Sequence, residues 1–204
     1  MRLILVRAVA TALALTGCAG TPQAAPSQAA LPQAAPSQAT PQMEPVAAAK
    51  PAKKAVKSNL SRLKKLGITI NAGVLIDVAD DGKDRFLAVG KNGKVDFTGT
   101  GRTDTTMMSL QAAPVAAENR VVIKPPFWNE DLGAGYCVAD TKGAPLKLET
   151  CKSGKATQIF TVVPAGDSGQ FELRGKYGIL RVDDGKLTTS GKGRTGLQTI
   201  KYAQ

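Results

Sequence analysis

The sequence predicts an all-β domain over residues 68–204, made of three copies of one strand pattern. Short β-type runs alternate with turns rich in Gly, Asp, Asn, Lys and Pro, and no stretch keeps a helical period for three turns. The pattern of hairpin, turn and closing step recurs roughly every 45 residues, a spacing typical of units that cannot bury an apolar face alone. A barrel closed from three units is therefore expected, with a two-sheet sandwich as the alternative.

The middle copy, residues 135–161, is the most complete. It contains a hairpin, a pair of cysteines that brackets the hairpin, and a closing Gln-x-aromatic step. These features are the runs Tyr136–Ala139 and Leu146–Leu148, the turn at Thr141–Gly143, Cys137 with Cys151, and Gln158 with Phe160. The outer copies lack the cysteines. The first contains the runs Arg85–Val89, Val95–Phe97 and Met108–Leu110, and the third contains Gly178–Val182, the run from Leu187, and Gln198–Ile200.

Other β-type runs lie between these units. They are Ile68–Ile70, Val74–Val78, Met107–Gln111, Val121–Lys124, Ile159–Val163, Phe171–Arg174 and Thr199–Tyr202, and within the third unit a strand is predicted over Ile179–Val182. Aromatic residues make up only 4% of the chain, so the core is expected to consist mostly of Val, Leu, Ile and Ala.

Residues 1–17 resemble a secretion signal. Arg2 and Arg7 provide the basic start, and Ala8–Leu15 the apolar stretch, which is too short to span a membrane as a mature helix. Leu15–Cys18 matches the bacterial lipobox, in which the cysteine is acylated, typically with palmitate, and becomes the new N-terminus. The alternatives are an ordinary signal peptide cut nearby or a cytosolic chain with an apolar start.

The lipobox predicts an attachment to the lipid bilayer through Cys18 and a place in the cell envelope. Ala19 stands where an Asp commonly retains lipoproteins at the inner membrane. An outer-membrane location is therefore expected if the source has two membranes.

Residues 18–49 are of low complexity. Thr21–Ala30 and Leu31–Thr40 are near copies of one Pro-, Ala- and Gln-rich decamer without charge. Such a composition cannot bury enough surface to offset its ordering entropy, and frequent proline favours extended chain. A disordered spacer is expected, with a Pro-rich ligand for a partner as the alternative.

The segment 50–67 is basic and has a helical apolar spacing. Its seven cations, with no acid among them, are Lys50, Lys53, Lys54, Lys57, Arg62, Lys64 and Lys65, and its apolar positions are Val56, Leu60, Leu63 and Leu66. A short helix from about Ala52 that ends at Gly67 is predicted. The segment either adheres to an anionic envelope surface or packs its leucines on the following domain.

Cysteine arithmetic favours a disulfide. If Cys18 carries a lipid, the remaining two of the three cysteines, Cys137 and Cys151, form an even pair that brackets a hairpin. A disulfide is the expected use of such a pair in an exported domain. Zinc binding would lack ligands, because the chain contains no histidine.

Catalysis is not expected, because histidine is absent and the carboxylates mostly lie in turns. Asp80–Lys83 and Asp183–Lys186 have the same Asp-Asp-Gly-Lys sequence and are interpreted as equivalent turns of the repeat. The spacing of Asp77, Asp80, Asp81 and Asp84 does not match a calcium loop. No cofactor or metal is therefore expected.

The net charge of +11 favours anionic polymers or membranes as partners. The sequence lacks the interleaved aromatic and basic residues of nucleic-acid-binding modules, so no nucleic-acid partner is expected.

The paired cysteines, the step Gln158-x-Phe160 and the three units of this length resemble the ricin B-chain type of β-trefoil, over about Ile68–Gln204. The resemblance implies a β-trefoil and carbohydrate binding. In that family the sugar pocket carries an Asp two places after the first cysteine, and the corresponding positions here hold Ala139, Val89 and Val182.

The other family pocket positions correspond to Lys147 and Glu149, before the second cysteine, and to Thr157 and Gln158, so no stacking ring is present at any copy. Asp140 could replace the missing Asp only if a bulge turned it to the same face. Trp128, in an irregular connection, either contacts a ligand or plugs the open end of the barrel. The candidate ligand-binding residues are therefore Trp128, Asp140, Lys147, Glu149 and Gln158.

The function predicted from these observations is a membrane-anchored envelope module of the ricin-type lectin class. It would bind carbohydrate or anionic polysaccharide in a non-standard pocket. The alternative is a protein-interaction trefoil without sugar binding, such as an accessory subunit of an exported toxin-delivery complex, as in the cytolethal distending toxin, whose A subunit is a trefoil lipoprotein.

Overall fold

A computed structural model describes residues 55–129 and 133–203, and these residues form an all-β fold, as the sequence predicts. The predicted signal peptide, Cys18 and the spacer over residues 18–49 lie outside these ranges. A short helix precedes the strands: α1, Ser61–Lys65. The strands are β1 Val74–Val78, β2 Phe86–Val89, β3 Lys94–Gly99, β4 Ser109–Ala112, β5 Arg120–Lys124, β6 Tyr136–Ala139, β7 Leu146–Thr150, β8 Phe160–Pro164, β9 Phe171–Gly175, β10 Gly178–Ile179, β11 Val182–Asp183, β12 Lys186–Leu187 and β13 Leu197–Lys201.

Six of these strands close into a barrel. Antiparallel pairing runs in the order β4, β5, β8, β9, β13, β1. An antiparallel bridge between Val74 and Met108 then joins β1 to the start of β4, with two backbone hydrogen bonds of 2.8 Å. Closure removes the free strand edges that a two-sheet sandwich would keep.

Six of the other seven strands form three hairpins outside the barrel: β2 with β3, β6 with β7, and β11 with β12. The seventh, β10, pairs with β9. Each unit therefore contributes a barrel strand, a hairpin and a second barrel strand, in that order along the chain. Three such units around one barrel define a β-trefoil, and the sandwich alternative is wrong. The units begin at β1, β5 and β9, one strand earlier than the sequence motifs suggest.

The core combines aliphatic residues with one large ring from each unit. Phe97, Phe160 and Phe171 are at most 1% exposed, and they belong to the first, second and third units respectively. Val, Leu and Ile from both barrel and hairpin strands complete the same cluster. Because all three units contribute to one core, no unit buries its apolar face alone.

The disulfide joins Cys137 and Cys151 across the middle hairpin. Beside it, the side chain of Gln158 accepts a hydrogen bond from Lys152 N (2.8 Å) and donates one to Thr150 O (2.9 Å). Gln158 is only 1% exposed, so its amide fixes the loop that follows the second cysteine. The closing step of the middle unit is thus held both covalently and by hydrogen bonds.

The helix of the basic segment is shorter than predicted, because α1 covers Ser61–Lys65 alone and residues 55–60 are not helical. Leu60 and Leu63 are buried in the core cluster, whereas Val56 is 54% exposed. Leu60 and Leu63 therefore pack on the trefoil, and the cations of the described part of the segment are exposed: Lys57, Arg62, Lys64 and Lys65.

Two other predicted strands differ from the structure. Ile68–Ile70 is not a strand, although both isoleucines are buried. The strand predicted over Ile179–Val182 is split into β10 and β11, because residue 180 packs inward between the two short pairings. Within the part of the chain that the structure describes, no helix is long and apolar enough to cross a membrane.

Candidate functional site

The positions where the resemblance implies an acidic pocket are core positions in this chain. Ala139, Val89 and Val182 are 1%, 5% and 3% exposed. Val89 and Val182 belong to the hydrophobic core cluster that all three units share. A sugar-binding carboxylate could not occupy these positions without being buried among apolar side chains.

Asp140 has a different place, just beyond the end of β6. Its backbone N–H donates to Thr157 O (2.7 Å), and its carboxylate Oδ2 accepts a hydrogen bond from Tyr177 N (2.8 Å). The carboxylate also lies against Gly175, where a Cβ would overlap it. Asp140 is 7% exposed, so it connects the middle unit to the third and presents only a small part of its surface.

A shallow cleft of about 70 Å³ lies between the middle and third units at this point, and we call it the Asp140 cleft. Its lining residues come from the β6–β7 turn and from the third unit on either side of β11: residues 140–146, 177–181 and 187–189. The Tyr177 side chain is 49% exposed at its edge. The cleft thus combines an aromatic ring with a largely buried carboxylate.

The polar groups of the Asp140 cleft are partly committed to the protein. The Thr141 hydroxyl bonds to Pro145 O (2.8 Å), and the Thr188 hydroxyl pairs with Ser190 Oγ (2.8 Å). Among the described residues, no hydrogen bond or ion pair engages the Arg181 guanidinium or the second carboxylate oxygen of Asp140. Lys142 also lines the cleft and has no ion pair among the described residues, so two cations and one acceptor remain for a ligand.

The other four candidate residues do not line this cleft. Lys147 is exposed opposite Ala139 and Lys94 on neighbouring strands, and Glu149 forms an ion pair with Lys155. The structure therefore does not bring these two together with Asp140.

Gln158 and Trp128 do not line the Asp140 cleft either. Gln158 is buried, and its amide is hydrogen-bonded within the protein. Trp128 is half-buried against the core and makes an edge contact with Phe127, with ring centroids 5.1 Å apart. Phe127, rather than Trp128, is the exposed ring of that connection, at 47%.

Sequence reasoning missed Tyr177. The family resemblance places the stacking ring on the hairpin strand of the same unit, whereas Tyr177 reaches the Asp140 cleft from the neighbouring unit. One signal was present, because Gly175-Lys176-Tyr177-Gly178 places a single ring in a glycine-rich turn, where an aromatic side chain is expected to be exposed.

The acidic turns do not form a second chemical site. Burial raises the pKa of Asp77, while hydrogen bonds from Gln198 Nε2 (2.9 Å) and Arg85 N act against this rise. These bonds hold β1 beside β13 and β2, so the carboxyl group is structural. Residues 55–129 and 133–203 contain no cluster of His, Cys, Asp and Glu suited to a metal ion.

Comparison with known proteins adds two structural likenesses. No protein-family model matches the chain, and no curated protein matches its sequence significantly. The chain is similar to the structure of SeviL bound to asialo-GM1 saccharide, with 12% identity and a TM-score of 0.47 over 65% of this chain and 98% of that one. It is also similar to the apo β-trefoil BEL, with 10% identity and a TM-score of 0.48 over 64% of this chain and 93% of that one. The β-trefoil assignment rests on the strand pairing of this chain.

Proposed function

We propose that this chain is a lipid-anchored, non-catalytic glycan-binding module of the bacterial cell envelope. The Asp140 cleft, lined by both the exposed Tyr177 and the largely buried Asp140, is the observation that carries the binding part of the proposal. The lipobox ending at Cys18 supports the envelope location, and the low-complexity residues 18–49 would hold the trefoil away from the lipid surface. An outer-membrane address follows from Ala19 if the source has two membranes.

The chemistry of the Asp140 cleft suits a sugar. An aromatic face packs on the apolar C–H face of a pyranose, while a carboxylate and a guanidinium accept from and donate to its hydroxyls. At about 70 Å³ the cleft is smaller than the 300–1,000 Å³ typical of sites that enclose a small molecule. It would therefore receive the edge of one sugar, such as a terminal or branching residue.

Replacing Tyr177 with alanine is expected to weaken binding of a neutral oligosaccharide about ten-fold, because the apolar face of the sugar loses its only ring. A glycan array first identifies a neutral ligand, and calorimetry then measures its affinity for the full-length mature chain. Tyr136→Ala is the matched control, since Tyr136 is similarly exposed, at 43%, but lies outside the cleft. The proposal is contradicted if Tyr177→Ala and Tyr136→Ala bind the oligosaccharide with equal affinity. It is also contradicted if no glycan on the array shows saturable binding.

Replacing Cys18 with alanine is expected to release the protein from the membrane, because a lipidated cysteine is the only anchor that the lipobox provides. Metabolic labelling with a palmitate analogue and fractionation of the cells measure both the acyl chain and the location. The control is the same fractionation of a variant in which Cys137 and Cys151 are replaced with alanine and Cys18 is retained. Membrane retention of the Cys18→Ala chain without label would refute the lipoprotein assignment.

A further inference from the structure

A basic groove runs along the outer face of the barrel, away from the acidic turns. It consists of two adjoining cavities of about 380 and 270 Å³ that share Gly154 and Ile159. Its lining contains six cations and no carboxylate: Lys57, Arg120, Lys124, Lys152, Arg174 and Lys176. We call this surface the basic groove.

The strand register fixes the arrangement of these cations. Arg120 of β5 is paired with Thr161 of β8, and Thr161 is paired with Arg174 of β9, so the three side chains lie in one row across the sheet. Two strand spacings separate the arginines at their backbones by about 10 Å. Arg120 and Lys124 lie on the same face of β5, about 13 Å apart along the strand.

Most of this positive charge is not neutralised by the protein. Of the six groove cations, only Arg174 has a carboxylate partner within the described residues, namely Glu172 at 3.6 Å. The carboxylates concentrate elsewhere, at the turn where Asp77, Asp80, Asp81 and Asp84 line a separate cavity. Such segregation of charge creates a positive potential along the groove that draws anions from solution.

The basic segment of the sequence leads into this groove. Lys57 lines it, because Ser58 and Asn59 are held to the β4–β5 connection by backbone hydrogen bonds to Ala113 O and Ala117 O. At the other end, Gly175 lines the groove and also contacts the Asp140 carboxylate, and Lys176 approaches the Tyr177 ring at 5.4 Å. The basic groove therefore ends beside the Asp140 cleft.

We propose that the basic groove binds a linear acidic polysaccharide whose chain continues to the Asp140 cleft. An extended array of six cations matches a chain of repeated carboxylate or sulfate groups better than a single anion. The lining contains no aromatic ring, so the stacking platform of single-stranded nucleic-acid sites is lacking. The inference rests on the proposed function only because both take a glycan as the ligand. The side chains of the basic groove are different from those of the Asp140 cleft.

The test measures binding of an alginate octasaccharide, a linear polycarboxylate, to the full-length mature chain. The double variant Arg120→Gln/Arg174→Gln is expected to bind about 30-fold more weakly, since each cation near an anionic surface contributes roughly a five-fold factor. Lys91→Gln/Lys186→Gln is the matched control, because it removes the same charge from residues outside the groove. Wild-type affinity is expected to fall steeply with added NaCl.

Several results would overturn the groove assignment. They are equal losses in the two double variants, no saturable alginate binding, or preferential binding to phosphatidylglycerol vesicles with the same dependence on Arg120 and Arg174. Tyr177→Ala separates the two proposals, because it is expected to weaken neutral-sugar binding strongly and alginate binding by no more than two- to three-fold. If the wild-type protein binds alginate but no neutral sugar, the proposal for the Asp140 cleft is wrong and the proposal for the basic groove stands.

Discussion

Phe171→Ala is expected to lower the free energy of unfolding by about 3–5 kcal/mol, the range for removal of a fully buried ring. Phe171 is 0% exposed and begins β9, where it is paired with Pro164 of β8 on one side and with Leu197 of β13 on the other. It therefore packs where the third unit joins both the second unit and its own last strand. The cavity cannot collapse easily, because three strands fix its walls.

Urea denaturation followed by circular dichroism measures this loss, and the melting temperature is expected to fall by on the order of 10 °C. Phe127→Ala is the control, since Phe127 is 47% exposed and its removal should cost less than about 1 kcal/mol. A loss below about 1 kcal/mol for Phe171→Ala would mean that the ring does not occupy the core described here.

Replacing both cysteines of the disulfide with serine is expected to destabilise the domain by about 3 kcal/mol. Cys137 and Cys151 are 14 residues apart, and in the chain-entropy model a loop of this size restricts the unfolded state by that amount. Cys137 is also 2% exposed, so a serine hydroxyl there would need a new partner.

Denaturation of the Cys137→Ser/Cys151→Ser protein measures the effect, and the reduced wild type should lose a similar amount. The hydrogen bonds of the Gln158 amide with Thr150 O and Lys152 N do not depend on the disulfide. They should therefore still hold the loop after Cys151 in a partly native position when the disulfide is removed. If both forms are as stable as the oxidised wild type, the disulfide contributes nothing to the fold.

The strands were largely predictable because alternation of apolar residues survives in most of them. The boundaries of β1 and β6 match the prediction, and those of most other strands differ by one or two residues. Each unit begins one strand before its sequence motif, because β1, β5 and β9 carry no recurring motif. Only the pairing of these strands in the barrel shows that they open the units. Ile68–Ile70 has the composition of a strand, yet it packs on the core without a ladder partner.

The candidate site was less predictable, because it is formed between units. The sequence indicated that Ala139 replaces the family aspartate and that Asp140 follows it, but Tyr177 is 37 residues further along the chain. Local patterns cannot show which turns of different units meet. The basic groove was missed for the same reason, since Arg120 and Arg174 become neighbours of Thr161 only through the barrel register.

The proposed sites depend on three units closing into one barrel, and amide hydrogen exchange at the closing bridge tests this most directly. Val74 N bonds to Met108 O, and Met108 N bonds to Val74 O, both at 2.8 Å. If the barrel is closed, NMR should show both amides exchanging as slowly as those of the central strands β8 and β9, near the rate of global unfolding. Rapid exchange at Val74 and Met108 with slow exchange elsewhere would show an open sheet and contradict the trefoil.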